Sequence, residues 1–252
     1  MTARAILGAI NSAWKTVLYR ISTSTVSPKP SGGDDRILIR CLQDQSILVL
    51  LADGATGVGF GALAADRFIE VMSSHVTNFS RATEDIVHGL RSADRQIAEL
   101  DHQCDTTGVV LLVHGDRYMC ASVGDSAVFM DSSSGVVELT LGQRRRPRIG
   151  SGIQDPVVAL GEVSGPMFLA TDGQNMAPAE VFALLRSKQD DESSVDLATY
   201  ITSHAAQRGL HDDLAVVVLD CHAPERSTVL KEKASSLQVG ATDTSKGDEV
   251  KT

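Results

Sequence analysis

The stretch SILVLLADGATGVGFG, Ser46 to Gly61, sets an unbroken apolar run, Ile47 to Leu51, almost directly against Asp53 and Gly54. Consecutive Ile, Leu and Val residues without alternation are the pattern of a strand buried on both faces. A carboxylate at the end of such a strand carries a heavy desolvation cost unless something neutralises it. A buried cationic partner, a helix N-terminus after the glycines, or a metal ion would each serve.

The same punctuation recurs along the chain. SVGDS ends a strand at Asp125 and MFLATDG ends one at Asp172, while GLHDDLAVVVL opens one at Asp212 and Asp213 and SGGDDRILI carries Asp34 and Asp35. Singly, Asp-Gly and Asp-Ser are ordinary turn chemistry. If the ends converge, four or five carboxylates in one cleft repel strongly and are stable only when cations neutralise them. Oxygen-only donors favour Mg²⁺ or Mn²⁺, and of the seven histidines only His211 adjoins an acidic motif. A carboxylate shared by two ions about 3.5 to 4 Å apart leaves them open to polarise a phosphoryl oxygen and hold a hydroxide for in-line attack. Gly54, lacking a side chain, lets a backbone carbonyl or a water approach an ion closely.

A dinucleotide loop is the competing reading, because Gly57, Gly59 and Ala62 satisfy G-x-G-x-x-A between a strand and a helix. It fits poorly. A second helical pattern follows where that unit needs a strand, and Asp53 sits where an anionic pyrophosphate would bind.

A chain of 252 residues with 42% hydrophobic content is long enough for a full core, read here as one domain. Its formal charge of −9 argues against general nucleic-acid binding. Cys41, Cys104, Cys120 and Cys221 form no C-x-x-C pair, so neither zinc nor a disulfide framework is expected, and a reducing, cytoplasmic setting fits. No apolar run approaches the roughly 20 residues of a membrane span. The first 33 residues contain no Asp or Glu, a vague likeness to a targeting segment, but Trp14, Val17 and Ile21 read better as the start of the packed domain.

Ala62, Ala65, Phe68, Ile69 and Met72 recur at helical spacing, and Ile86, Leu90, Ala93, Ile97 and Leu100 do so again. TTGVVLLVHGDRYMCASVGDSAVFMDSSSGVVEL reads as strands joined by hairpin turns at HGD, GDS and SSSG. VVALG and MFLATDG add two strands, APAEVFALLRS and SVDLATYITSHAAQ two helices, and LAVVVLDC a closing strand. Hairpin-rich strands with paired helices predict an α/β chain of α+β type: a central antiparallel β-sandwich flanked by helix pairs, α-β-β-α. Residues 1–13 are taken as an N-terminal extension and 14–221 as the domain. The polar stretch 222–252, without an aromatic residue, is expected to be a disordered tail.

With GGDDR, LADGATGVGFGALAA, DTTGVVLLVHGDRYMCASVGDSAVF, FLATDG and HDDLAVVVL in this order, the chain resembles the metal-dependent serine/threonine protein phosphatases of type 2C, in their short bacterial form. The resemblance covers about Trp14 to Asp220. It implies a Mn²⁺ or Mg²⁺ pair, with a weak third ion, and hydrolysis of phosphoserine or phosphothreonine in proteins by metal-activated water. It also implies a phosphorylated protein as partner, with a serine/threonine kinase or its targets as the source. By the resemblance Asp53 bridges the ions and the Gly54 carbonyl contacts one, Asp172 and Asp212 hold the other, and Asp35 with Asp34 serves the second. Asp125 belongs to the third site. Asp53 and Asp35 are the acids expected to matter most for catalysis.

Several residues depart from the family pattern. Ala55 stands where members with Asp-Gly-His-Gly-Gly have a histidine that can act as general acid, and Thr56 and Gly57 replace the glycine pair. Where many members carry a phosphate-clamping Arg, this chain has Pro30 with Lys29 beside it, and lysine is a point charge, not a fork. An acid often found four residues beyond the TDG aspartate is Met176 here, which weakens the third site. GQRRRPRIG lies near the family's variable flap, where Arg144, Arg145, Arg146 and Arg148 would receive a phosphorylated peptide or form a solvated basic loop. An active phosphatase is the leading expectation. A pseudophosphatase acting as a binding module and a small-molecule phosphohydrolase are the alternatives.

Overall fold

The computed structural model describes residues 6–9, 18–30, 32–55, 60–100, 104–141, 146–153, 156, 158–189 and 196–222. The tail from 223 onward, Trp14, Arg144, Arg145 and the glycine loop at Gly57 and Gly59 therefore lie outside the described residues.

Two antiparallel sheets form the centre. The first runs in the order β1 (Ile6–Ala9), β2 (Leu18–Val26), β11 (Leu214–His222), β10 (Met167–Ala170), β7 (Ala127–Ser132), β8 (Gly135–Glu138). The second runs β3 (Arg36–Cys41), β4 (Ile47–Ala52), β5 (Gly108–His114), β6 (Arg117–Val123), β9 (Val158–Glu162). Helices α1 (Gly61–His75) and α2 (Ala82–Ala98) follow β4, and α3 (Pro178–Gln189) and α4 (Leu197–Gln207) precede β11. Strand β1 lies inside the stretch read from sequence as an extension and pairs with β2.

The continuous apolar strands are explained by burial on both faces. Leu48, Leu50 and Ala52 of β4 share a core with Phe68 and Met72 of α1 and Ile86 and Leu90 of α2, while Ile47, Val49 and Leu51 join the core between the sheets. On β11, Val216 and Val218 meet Phe182 of α3 and Ile201 of α4, whereas Ala215, Val217 and Leu219 face inward. Each strand thus spends its two faces on two different layers, giving the α-β-β-α order expected from the sequence.

One turn differs from its expected role. HGD and SSSG close hairpins between β5 and β6 and between β7 and β8. GDS instead carries the chain from β6 in one sheet to β7 in the other, with Gly124 at a φ of 96°. A hairpin and a sheet-to-sheet crossing use the same turn residues, so local composition does not separate them.

A carboxylate centre at one end of the sandwich

Strand pairing decides where the acids meet. Arg36 at the start of β3 is opposite Ala52 at the end of β4, and Gly108 at the start of β5 is opposite Val123 at the end of β6. In the other sheet, Ala170 at the end of β10 is opposite both Ala127 at the start of β7 and Val216 near the start of β11. These registers place Asp34, Asp35, Asp53, Asp125, Asp172, Asp212 and Asp213 at strand ends on the same side of the sandwich. One oxygen each of Asp53, Asp125 and Asp172 lie within 4.8 Å of one another.

Hydroxyl groups fix the acids' backbones and orientation. The Thr106 hydroxyl donates to the Asp53 carbonyl at 2.8 Å, the Thr107 N–H donates to the same oxygen at 2.9 Å, and the Asp53 N–H donates to the Thr107 hydroxyl at 3.2 Å. The Thr171 hydroxyl donates to Asp35 Oδ2 at 2.8 Å and accepts from the Ala215 N–H at 2.9 Å. Thr106, Thr107 and Thr171 are buried. They are positioning residues that the motif-based reading passed over, although Thr106 and Thr171 adjoin acids in DTTG and ATDG and Thr107 follows Thr106.

Crowding shows in the proton affinities. Burial first, and then the charges of Asp213 and Asp212, push Asp35 up to about 7. Burial, Asp35, Asp172 and Asp212 push Asp53 up to about 8, and burial with Asp125 and Asp212 also raises Asp172. Asp35 is only 8% exposed, and its Oδ1 is buried without a hydrogen-bond partner among the described residues. An orphaned buried carboxylate oxygen beside other acids is the donor chemistry a hard divalent cation satisfies, so these residues fit Mg²⁺ or Mn²⁺.

This crowding predicts an unusual pH response of the metal-free protein. In the unfolded chain these carboxyls ionise near 3.9. Between that value and about 7 to 8 the folded state holds protons that the unfolded state has lost. Stability therefore falls as pH rises through this window. In EDTA the midpoint of thermal unfolding should decline from pH 5 to pH 8.5, whereas in saturating Mn²⁺ it should rise, because ion binding requires deprotonated carboxylates. A flat profile in EDTA would show that the acids are not crowded.

Lys29 joins the cluster rather than standing apart from it. Its Nζ is 3.0 Å from Asp213 Oδ2, 3.2 Å from Asp34 Oδ2 and 4.0 Å from Asp212 Oδ1. The Asp34 N–H also donates to Asp213 Oδ2, at 2.9 Å. Burial alone would raise Asp213, but hydrogen bonds from Ser27, the Asp34 N–H and Lys29 outweigh it and hold Asp213 below its ordinary value. Lys29 also borders an open cleft of about 410 Å³ lined by Thr25, Ser27, Gly33, Asp35 and Asp213. Arg146 is exposed.

Gly54 and Met176 have packing roles that the sequence did not suggest. A Cβ on Gly54 would lie 2.3 Å from the backbone carbon and oxygen of Gly61, the first residue of α1. The glycine is therefore required for helix packing, whatever its carbonyl does. Met176 is 6% exposed and belongs to the core under α3 and α4 with Phe182 and Ile201. An acid there would enter an apolar core. Met176→Asp should lower stability by about 3 to 5 kcal/mol and leave metal affinity unimproved; a tighter additional ion in a stable variant would contradict this placement.

With this geometry in view, residues 30–147 match the family model of protein phosphatase 2C. That stretch of the chain is similar to protein phosphatase 2C. Its fold is similar to that of the catalytic domain of the serine/threonine protein phosphatase PstP in complex with two manganese ions, at a TM-score of 0.70 and 17% identity, covering 82% of this chain and 99% of that one. The S. agalactiae serine/threonine phosphatase gives 0.69 at 19% identity, covering 80% and 99%. Stp1 from Staphylococcus aureus gives 0.67 at 16% identity, covering 79% and 94%. No curated protein compared with the chain matches it. Among the described residues no helix is long and apolar enough to cross a membrane.

Proposed function

We propose that this chain hydrolyses phosphoserine and phosphothreonine in proteins at its carboxylate centre, with Mn²⁺ or Mg²⁺ as cofactor. The observation that carries the reading is the convergence of Asp35, Asp53, Asp125, Asp172 and Asp212 at one end of a type 2C fold, where burial and neighbouring acids raise the proton affinities of Asp35, Asp53 and Asp172. Asp53 would bridge two ions, Asp172 and Asp212 would complete one site, and Asp35 with Asp34 and the Gly54 carbonyl would complete the other. Asp125 would face a weaker third ion. Bound there, the ions would supply Lewis acidity toward the phosphoryl oxygens and acidify a water for in-line attack.

The chain's own part is preorganisation. Thr171 orients Asp35 and the Thr106–Thr107 pair holds the Asp53 backbone, so the acids are placed before any ligand arrives. Ala55 offers no proton to the leaving alkoxide, so another donor would be needed. The domain is taken as residues 14–221, acting in the cytoplasm on the products of a serine/threonine kinase.

Phosphate release from a phosphothreonine peptide, with Mn²⁺ and with EDTA, tests the reading. Metal-dependent release that exceeds release from p-nitrophenyl phosphate at equal concentration supports it. Release from the small ester alone would make the chain a small-molecule phosphohydrolase. No release from either, with the peptide still bound, would make it a pseudophosphatase.

A further inference from the structure

We infer that Arg148 is the phosphate-binding fork of this centre, and that Asp105 is the residue that positions it. The inference rests on the phosphatase reading above and names a substrate contact within it.

The backbone brings Arg148 to the acids by a route invisible in sequence. Gly54 bridges to Thr106, and Thr106 bridges in turn to Ile149 through two hydrogen bonds of 2.9 and 3.0 Å. The Ala55 N–H donates to the Asp105 carbonyl at 3.0 Å. Asp53–Ala55, Asp105–Thr106 and Arg148–Ile149 thus lie side by side as three short segments. The next turn of the loop is pinned by Asp94 of α2, which accepts from the N–H groups of Gly150, Gly152 and Ile153 at 2.7 to 3.3 Å. A loop tied down this way presents a side chain in a set position.

The Arg148 side chain is 19% exposed, and its Nη1 is 3.6 Å from Asp105 Oδ1. Asp105 Oδ2 accepts from the Ser151 hydroxyl at 2.9 Å, which orients the carboxylate. Arg148 Nε is buried and, among the described residues, has no hydrogen-bond partner. An arginine held on the segment that the Thr106 bridge brings beside Asp53–Ala55, with a donor unused among the described residues, is suited to a tetrahedral oxyanion, whose oxygens match the guanidinium fork.

The other described cations near the centre are occupied. Lys29 is paired with Asp34 and Asp213. Arg36 donates to Asp66 through Nε and to the Gly33 and Asp35 carbonyls through Nη1, both at 3.0 Å. Arg148 therefore fills, from the segment before β9, the role for which Lys29 was the sequence-based candidate.

Inorganic phosphate titrated calorimetrically into the Mn²⁺-loaded protein is the test, on wild type, Arg148→Ala, Arg148→Lys and Asp105→Asn. Arg148→Ala should weaken phosphate binding roughly 10- to 100-fold, with Mn²⁺ affinity within about threefold of wild type. Arg148→Lys, which keeps the charge and the Asp105 partner, should fall between and guards against misfolding of the alanine variant. Asp105→Asn should raise phosphopeptide KM more than it lowers kcat, because it disturbs a ground-state contact. Unchanged phosphate affinity in folded, metal-loaded Arg148→Ala would overturn the inference, as would a loss of Mn²⁺ affinity that accounts for the whole effect. If wild type binds phosphate through Arg148 but releases none from phosphopeptide, the phosphatase reading fails and this inference stands. If it hydrolyses phosphopeptide with KM and phosphate affinity unaffected by Arg148→Ala, the reverse holds.

Discussion

Asp53→Asn is expected to abolish turnover while leaving a folded and, without metal, more stable protein. Asp53 lies between Asp35 and Asp172, whose charges both raise its proton affinity, and its backbone is held at both polar groups by Thr106 and Thr107. An amide keeps these backbone bonds and the side-chain volume but removes the charge a bridging ligand needs. Loss of several kcal/mol of transition-state stabilisation corresponds to roughly 10³-fold or more in kcat. In EDTA at pH 8.5 the variant should melt above wild type, since one of the crowded carboxylates has been made permanently neutral. Its melting profile should also be flatter between pH 5 and pH 8.5. Activity within tenfold of wild type, measured on folded variant with saturating Mn²⁺, would remove Asp53 from the centre.

Gly54→Ala should damage both stability and activity, through packing. A methyl group there would meet the Gly61 backbone at 2.3 Å, and Gly61 is the first residue of α1, which is buried against β4. Neither neighbour is a side-chain tip that can swing away. A Cβ on Gly61 would likewise meet the Gly54 carbonyl at 2.5 Å, so the two glycines require each other. Relief demands that α1 or the Asp53–Gly54 segment move. Overpacking of this kind costs about 3 kcal/mol, or roughly 6 to 12 °C in a domain of this size. Because Asp53 is the preceding residue, the same shift would misplace its carboxylate and cost about 100-fold in kcat. A variant that melts within 1 °C of wild type and keeps full turnover would show that the contact is not tight.

The amino-acid sequence by itself determined the layers and the acids. Apolar strands such as Ile47–Ala52, amphipathic helices such as Ala82–Ala98, and Asp residues beside strand ends such as Asp53 and Asp172 are local patterns that need no knowledge of distant contacts. Even the burial of β4 on two faces follows from its lack of alternation. What tertiary structure alone decided was the use of residues whose partners are far away in the chain. GDS crosses between sheets because β7 pairs with β10, not with β6. Lys29 meets Asp213, 184 residues away, and so neutralises carboxylates. Met176 turns into the core of α3 and α4, although its distance from Asp172 in sequence suggested a ligand position. Arg148 is brought beside the Asp53–Ala55 segment through the paired segment at Asp105 and Thr106. A turn residue, a lysine or a basic loop carries no periodicity that encodes its destination; strand register between distant segments sets it, and register is fixed by the packing of whole faces.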